Sequence, residues 1–326
     1  MLKINYKKKF NYNHGIMFHH FHDDKKYKKS PGSINKYQLR QIIRFIGREN
    51  IVDPKEFIAN TKKKNLKKKF CLTFDDALRS QFHVALPVLD EFNIKAFFFV
   101  QTSIFDKKID FSEVYRFFRY NYYKNINIFY RDFRKILDES IKQDFKKFIF
   151  EKKNIIKQKK KMYPFYSIED IKFRIIRDNL LNEKDYHKIM LKMFKTKKFN
   201  YKKIIKEIFF NKSQIKKLYA KGNMIGLHSH AHTFNFDNLS YKRQEKDYKK
   251  NKYILTKILN TKINSACYPG GKFNKYSISI LKKLGVECCF VDTLKQNKLS
   301  TQNNFFFTIP RQDSANILKI MTKKAK

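Results

Sequence analysis

Tryptophan is absent and glycine occurs only eight times in 326 residues, with none between positions 103 and 214. Cysteine is scarce: Cys71, Cys267, Cys288 and Cys289 complete the set, each inside an apolar run, and no Cys-x-x-Cys pair exists. Small buried thiols in a reducing compartment fit this usage better than a disulfide framework or a cysteine zinc site. No stretch reaches the ~18 apolar residues of a membrane span. The basic segment Met1–Phe10 is followed by no apolar core, which argues against a signal peptide. The expectation is a soluble, cytoplasmic protein without a transmembrane segment, with peripheral contact to a membrane left open. Acidic residues are also few: 29 against 73 Lys and Arg, for a net charge of +44. Such a charge raises nucleic acid or an anionic surface as a partner. The lysines are spread along the chain, however, and abundant Lys, Asn, Ile, Phe and Tyr match an AT-rich coding bias, so no specific nucleic-acid partner is expected. The field would still draw anionic or phosphorylated substrates.

With 42% hydrophobic residues the chain can bury one large domain with an insertion. Its central stretch is Phe70-Cys71-Leu72-Thr73-Phe74, a short buried strand followed by Asp75 and Asp76. Adjacent buried carboxylates repel unless a cation or a shared proton relieves them. In parallel α/β sheets, ligands gather at the carboxyl ends of strands. Far downstream, Met224–Leu227 reads as a strand running into His228, His230 and His232. One carboxylate and two imidazoles make a three-ligand metal site with an open position for water, and leave the other carboxylate as a base. His228 and His232 share a side if a helical turn follows the strand, while His230 points away.

These residues carry a resemblance. Thr73-Phe74-Asp75-Asp76, then His228-Ser229-x-x-His232, then Cys267-Tyr268-Pro269-Gly270-Gly271 is similar to the polysaccharide deacetylase family, carbohydrate esterases with a NodB homology domain. The resemblance spans roughly 14–120 and 215–315. It implies a distorted (β/α) barrel of the NodB type, one divalent ion (Zn2+ first) on Asp76, His228 and His232, and Asp75 as general base. It implies an oxyanion held by the metal and a backbone N–H near Gly270, with Tyr268 at the substrate. Cys267 stands where the family often has an arginine that orients the base; Arg311, after Pro310, is the expected replacement. Ala77 replaces a usual glycine. The late histidine that serves many members as general acid is missing, since no histidine follows His232. His14, His83 and His187 fall outside the site, so the cluster His19, His20 and His22 at the end of the first strand holds the candidate acid, His19 or His20 first.

Along the chain, Gly15–His19 is the first strand, and Gln81–Phe92 and Ala96–Val100 complete a βαβ unit with the Asp strand. Lysines 62–64 and 67–69 flank a solvated loop. Residues from about 103 to 214 read as a mainly helical insertion within a single domain of 1–326. Its lysines and aromatics suit a single-stranded nucleic-acid binder, but an amphipathic lid with an aromatic core is preferred. Tyr241–Leu259 and Ser277–Leu284 are helices, Ser265–Tyr268 and Val286–Val291 strands, and Phe305–Ile309 the last strand. A histidine-rich amidohydrolase barrel is set aside because further histidines are missing downstream. The functional expectation is metal-dependent removal of an N- or O-acetyl group from a sugar or glycan precursor, nucleotide- or lipid-linked, in surface polysaccharide biosynthesis. The alternative is a catalytically impaired carbohydrate-binding relative.

Overall fold

The computed structural model describes residues 5–10, 12–62, 69–106, 111–162, 166–233, 235–295, 299–300 and 302–322. Most of the lysine-flanked loop at 62–69 lies outside them. Seven strands form one sheet: β1 His14–Phe18, β2 Phe70–Phe74, β3 Phe97–Val100, β4 Met224–Leu227, β5 Ser265–Cys267, β6 Cys288–Phe290 and β7 Arg311–Asp313. Their order is β6-β5-β4-β3-β2-β1-β7, and every pairing is parallel. The sheet nearly closes on itself. Ile309 bonds to β6, its N–H donating to Cys289 O and its carbonyl accepting from Val291, each at 3.0 Å. One residue later Pro310 O accepts from Gly15 N at 3.0 Å, and β7 continues along β1. The result is a (β/α) barrel in which all carboxyl ends share one rim.

Strands β3 and β6 are apolar on both faces, as a covered parallel sheet requires. Cys71, Phe97, Phe99, Cys288 and Phe290 belong to one buried cluster with Phe57 and Ile309. The neighbouring residues, on the opposite face, form a row of rings: Phe18 stacks on Phe74 at 5.1 Å and Phe74 on Phe98 at 4.7 Å. All four cysteines are buried and free.

One expectation about elements needs correction. The last strand is Arg311–Asp313, while Gln302–Phe307 is a 3-10 helix. Three polar residues give no alternation to read, because the strand is defined by pairing with β1 and by an arginine turned into the protein. The apolar run before it packs without forming a strand: Phe307 and Ile309 are buried and Phe305 is exposed. The chain also divides into two compact units, one of residues 1–23, 33–110 and 206–326, the other of 24–32 and 111–205. The helix Lys212–Ala220, whose first residues fell in the expected insertion, belongs to the barrel unit. The second unit is mainly helical among its described residues, and Phe118, Phe129, Phe133, Phe173 and Phe194 are buried in it. Its aromatics therefore build a core, as expected of an amphipathic helical segment.

Candidate metal centre

Asp75 and Asp76 follow β2 at the rim, and the backbone turns sharply there. Asp76 has φ +73° and Ala77 φ +56°, both left-handed, a conformation that costs any residue with a Cβ. Consecutive residues thereby send their carboxylates to different partners.

Asp75 faces β7. Its Oδ1 and Oδ2 accept from Nη1 and Nη2 of Arg311, each at 2.8 Å, in a bidentate pair. Arg311 and Asp75 are 1% and 2% exposed, so this pair is buried on both sides. The guanidinium also donates from Nε to Val291 O at 2.8 Å and from Nη1 to Thr73 Oγ1 at 3.2 Å. Gly15 makes room for it: a Cβ there would stand 3.0 Å from Arg311 Cγ. Burial alone would raise the Asp75 carboxyl; the Arg311 guanidinium outweighs it and holds the group below its ordinary value. Cys267 Sγ lies 3.7 Å from Asp75 Oδ2, so the residue standing in the family's arginine position touches the same carboxylate. Arg311, which the sequence offered in place of the arginine missing at Cys267, is the residue that pairs with Asp75.

Asp76 faces β4. Its Oδ1 lies 3.3 Å from His228 Nε2 and 3.2 Å from His232 Nε2. The ligand atoms of these three residues all fall within 4.8 Å of one another. His228 Nδ1 is 3.0 Å from Cys267 O, which only accepts, so Nδ1 carries a proton and Nε2 is the nitrogen turned toward Asp76. Asp76 Oδ1 is buried and makes no hydrogen bond. An oxygen and a nitrogen lone pair facing each other at this distance call for a proton or a cation between them. Ligands at ~2.0–2.2 Å around a tetrahedral ion stand roughly 3.3–3.6 Å apart, close to the spacings seen. The donor set fits a divalent ion. Burial would raise the Asp76 carboxyl, but wherever His228 and His232 carry the proton between them and the carboxylate, their N–H groups and charge hold it well below its usual range.

The loop after β4 is fixed from the helix Tyr241–Leu259. Asp247 accepts from the backbone N–H of His230 at 2.6 Å and of Ala231 at 2.9 Å. Asn251 Oδ1 accepts from His228 N at 3.1 Å, and its amide donates to Val100 O and Thr102 Oγ1, each at 3.0 Å. Ser229 Oγ accepts from His232 N at 2.9 Å, closing a tight turn in which Ser229 and His232 both have positive φ. His230 is turned elsewhere: it is 7% exposed, with Nδ1 3.0 Å from Thr102 Oγ1. Asp247 and Asn251 were missed in the sequence. Their signal is an interrupted apolar stripe, since the buried positions Gln244, Tyr248, Asn251, Leu255 and Ile258 share one helix face.

His19 stands beside the carboxylates, its Nε2 3.6 Å from Asp75 Oδ2 and 4.0 Å from Asp76 Oδ2, and it is 31% exposed. His20 stacks on His19 at 6.0 Å. His22 is held by Ser33 Oγ at 2.9 Å. His14 is a core residue between Tyr6 Oη and Tyr12 O. Tyr268 departs from its expected place at the substrate. It is fully buried, stacks on Phe273 at 4.3 Å and donates its hydroxyl to Phe307 O at 3.0 Å, so its side chain is spent on packing. Gly270 is exposed with φ +53°.

The sequence profile of the polysaccharide deacetylase family matches residues 62–128 and 179–289, more than half of the chain. No curated protein sequence matches at a significant level. Among solved structures the fold is similar to the Streptococcus pyogenes deacetylase PplD in complex with acetate, at 15% identity and TM-score 0.54, covering 95% of this chain and 97% of that one. It is also similar to a de-N-acetylase from Aggregatibacter actinomycetemcomitans, at 15% identity and TM-score 0.53 over 95% and 99% of the two chains. IcaB from Ammonifex degensii aligns at 14% identity and TM-score 0.52 over 95% and 97%.

Proposed function

The chain belongs to the polysaccharide deacetylase family, hydrolases of non-peptide carbon–nitrogen bonds, and from this premise we propose that it is a metal-dependent deacetylase. Its substrate is an N-acetylated sugar in a nucleotide- or lipid-linked glycan precursor for surface polysaccharide, and its ion is zinc. The observation that supports this best is the meeting of Asp76, His228 and His232 around one point, with the Asp75–Arg311 pair beside it.

Asp76, His228 and His232 would hold the ion, which when bound supplies Lewis-acid polarisation and a water acidic near neutral pH. Asp75 takes the proton of the attacking water. Its carboxylate is ionised throughout the working range because Arg311 holds it down. Arg311 aims that carboxylate and touches no reacting atom. Attack forms a carbon–oxygen bond and leaves charge on the former carbonyl oxygen, toward which the Gly270 N–H donates. His19 protonates the nitrogen as the carbon–nitrogen bond breaks, releasing acetate and the free amino sugar.

The test is acetate release from a panel of UDP-N-acetyl sugars and lipid-linked glycans, with and without added Zn2+. Metal-stimulated release is expected. A protein that binds metal and glycan yet releases no acetate from any member would instead be a catalytically impaired carbohydrate-binding relative.

A further inference from the structure

The helix that follows the carboxylate turn carries a buried amide. Gln81 is fully buried, in the company of the apolar Val84, Ala85, Val88 and Leu89. Its turn, Gln81–Ala85, is a π-helical one, closed by a bond from Leu86 N–H to Gln81 O, a form frequent at functional sites. An apolar side chain would fill this position without leaving any polar atom to satisfy. Gln81 instead keeps its Oε1 buried and without a hydrogen bond among the described residues. A buried acceptor left unsatisfied is costly and calls for an explanation.

The nitrogen of the same amide supplies one. Gln81 Nε2 donates to His19 O at 2.9 Å and to Asp75 O at 2.6 Å, so both of its N–H bonds are used. The reverse orientation of the amide would set an acceptor against two carbonyls. His19 and Asp75 stand just past the ends of β1 and β2, and one side chain therefore ties the two strand ends together. Asp75 has other supports: Arg311 holds both carboxylate oxygens, and its N–H donates to Phe18 O at 3.1 Å. His19 has fewer. Its Nε2 lies 3.6 Å from Asp75 Oδ2 and 4.0 Å from Asp76 Oδ2, beyond hydrogen-bond reach, and its ring otherwise only stacks on His20. With no hydrogen bond on the ring among the described residues, its place is set through the backbone, and Gln81 is the side chain that holds that backbone carbonyl.

We propose that Gln81 is a positioning residue: by tying the His19 carbonyl to that of Asp75 it fixes the His19 ring against the base, so that both reach one substrate. This rests on the deacetylase reading, in which Asp75 takes a proton and His19 gives one. Gln81 touches no reacting atom and bonds to none of Asp76, His228 and His232. Gln81→Met removes both donors at similar volume, and two readouts test it. The first needs no turnover: the Cε1 carbon resonances of isotope-labelled histidine in the full-length protein, with the His19 signal assigned by its absence from His19→Gln. Gln81→Met is expected to shift or broaden the His19 resonance, while that of His14, at the far end of β1, stays in place. The second is a double-mutant cycle in acetate release. Gln81→Met should keep stoichiometric metal and a KM within about twofold, and lower kcat roughly 10–10²-fold, the cost of misplacing a reacting group. In the His19→Gln background the same change should cost less than about twofold, because the ring it places is already gone. Gln81→Glu, neutral when buried, keeps one donor and should fall between wild type and Gln81→Met in both readouts; it carries the test if the Met variant does not fold. An unchanged His19 resonance overturns the proposal. So do costs of the two single changes that simply multiply, since Gln81 would then act through packing alone. A wild type that releases no acetate counts against the deacetylase reading only; the His19 resonance still decides whether Gln81 places the ring.

Discussion

Asp75 and Asp76 are neighbours in sequence, both buried, and in different surroundings. On the β7 side of the rim Asp75 meets a permanent cation, and both its oxygens are used. On the β4 side Asp76 meets two neutral-capable imidazoles, and its Oδ1 is left without a hydrogen bond. The first arrangement is complete as it stands and keeps a carboxylate ionised and aimed. The second calls for a proton or a cation between its members. Identical side chains meet different partners because the left-handed turn at Asp76 and Ala77 separates them.

The comparison can be broken from either side. The largest effect is expected on the β4 side: His232→Ala should lose its metal and reduce acetate release by on the order of 10³, since the Lewis acid goes with the ligand. His230→Ala, which alters no member of the triad, should retain stoichiometric metal in the same assay. On the β7 side, Arg311→Met leaves Asp75 as an unpaired buried charge and should cost about 3–5 kcal/mol in urea unfolding. His19→Gln should lower the rate by roughly 10² and remove the alkaline limb of the pH–rate profile. His20→Gln should keep both, and a retained limb in His19→Gln would move the acid elsewhere.

Acid unfolding sharpens the same contrast by a smaller amount. The folded Asp75 carboxyl sits below its ordinary 3.8, so its contribution is complete above that value and is lost as pH falls through the lower folded one. Asp75→Asn should therefore show a shallower loss of stability below about pH 4 than the wild type. The smallest effect concerns the turn itself. Ala77→Gly relieves a left-handed residue and should stabilise by up to about 1 kcal/mol, read from the urea midpoint.

The barrel and the converging triad were legible because apolar strands ending in Asp or His are local patterns. β2, β3 and β4 were placed within a residue of their bounds, as was the helix Tyr241–Leu259. What was not legible depends on pairing across the fold. β7 is a strand by virtue of β1, and its polar residues carry no apolar alternation. Tyr268 reads as a substrate contact from its motif, yet its hydroxyl is taken by Phe307 O, 39 residues away. Asp247 and Asn251 look like surface polar residues of a lysine-rich helix until the loop after β4 folds onto them. The edge between barrel and helical unit is hard to read from composition, because Lys212–Ala220 in the barrel unit continues the glycine-free, helical composition of the segment before it.

The most direct measurement compares one isosteric change at each carboxylate. Asp75→Asn and Asp76→Asn are purified side by side, and bound divalent metal is quantified with acetate release at saturating substrate. The account predicts that Asp75→Asn keeps stoichiometric metal and loses roughly 10²–10⁴ in rate, while Asp76→Asn loses the metal as well as the rate. Equal metal content in the two variants, or loss of metal from Asp75→Asn, would contradict the division of labour between them.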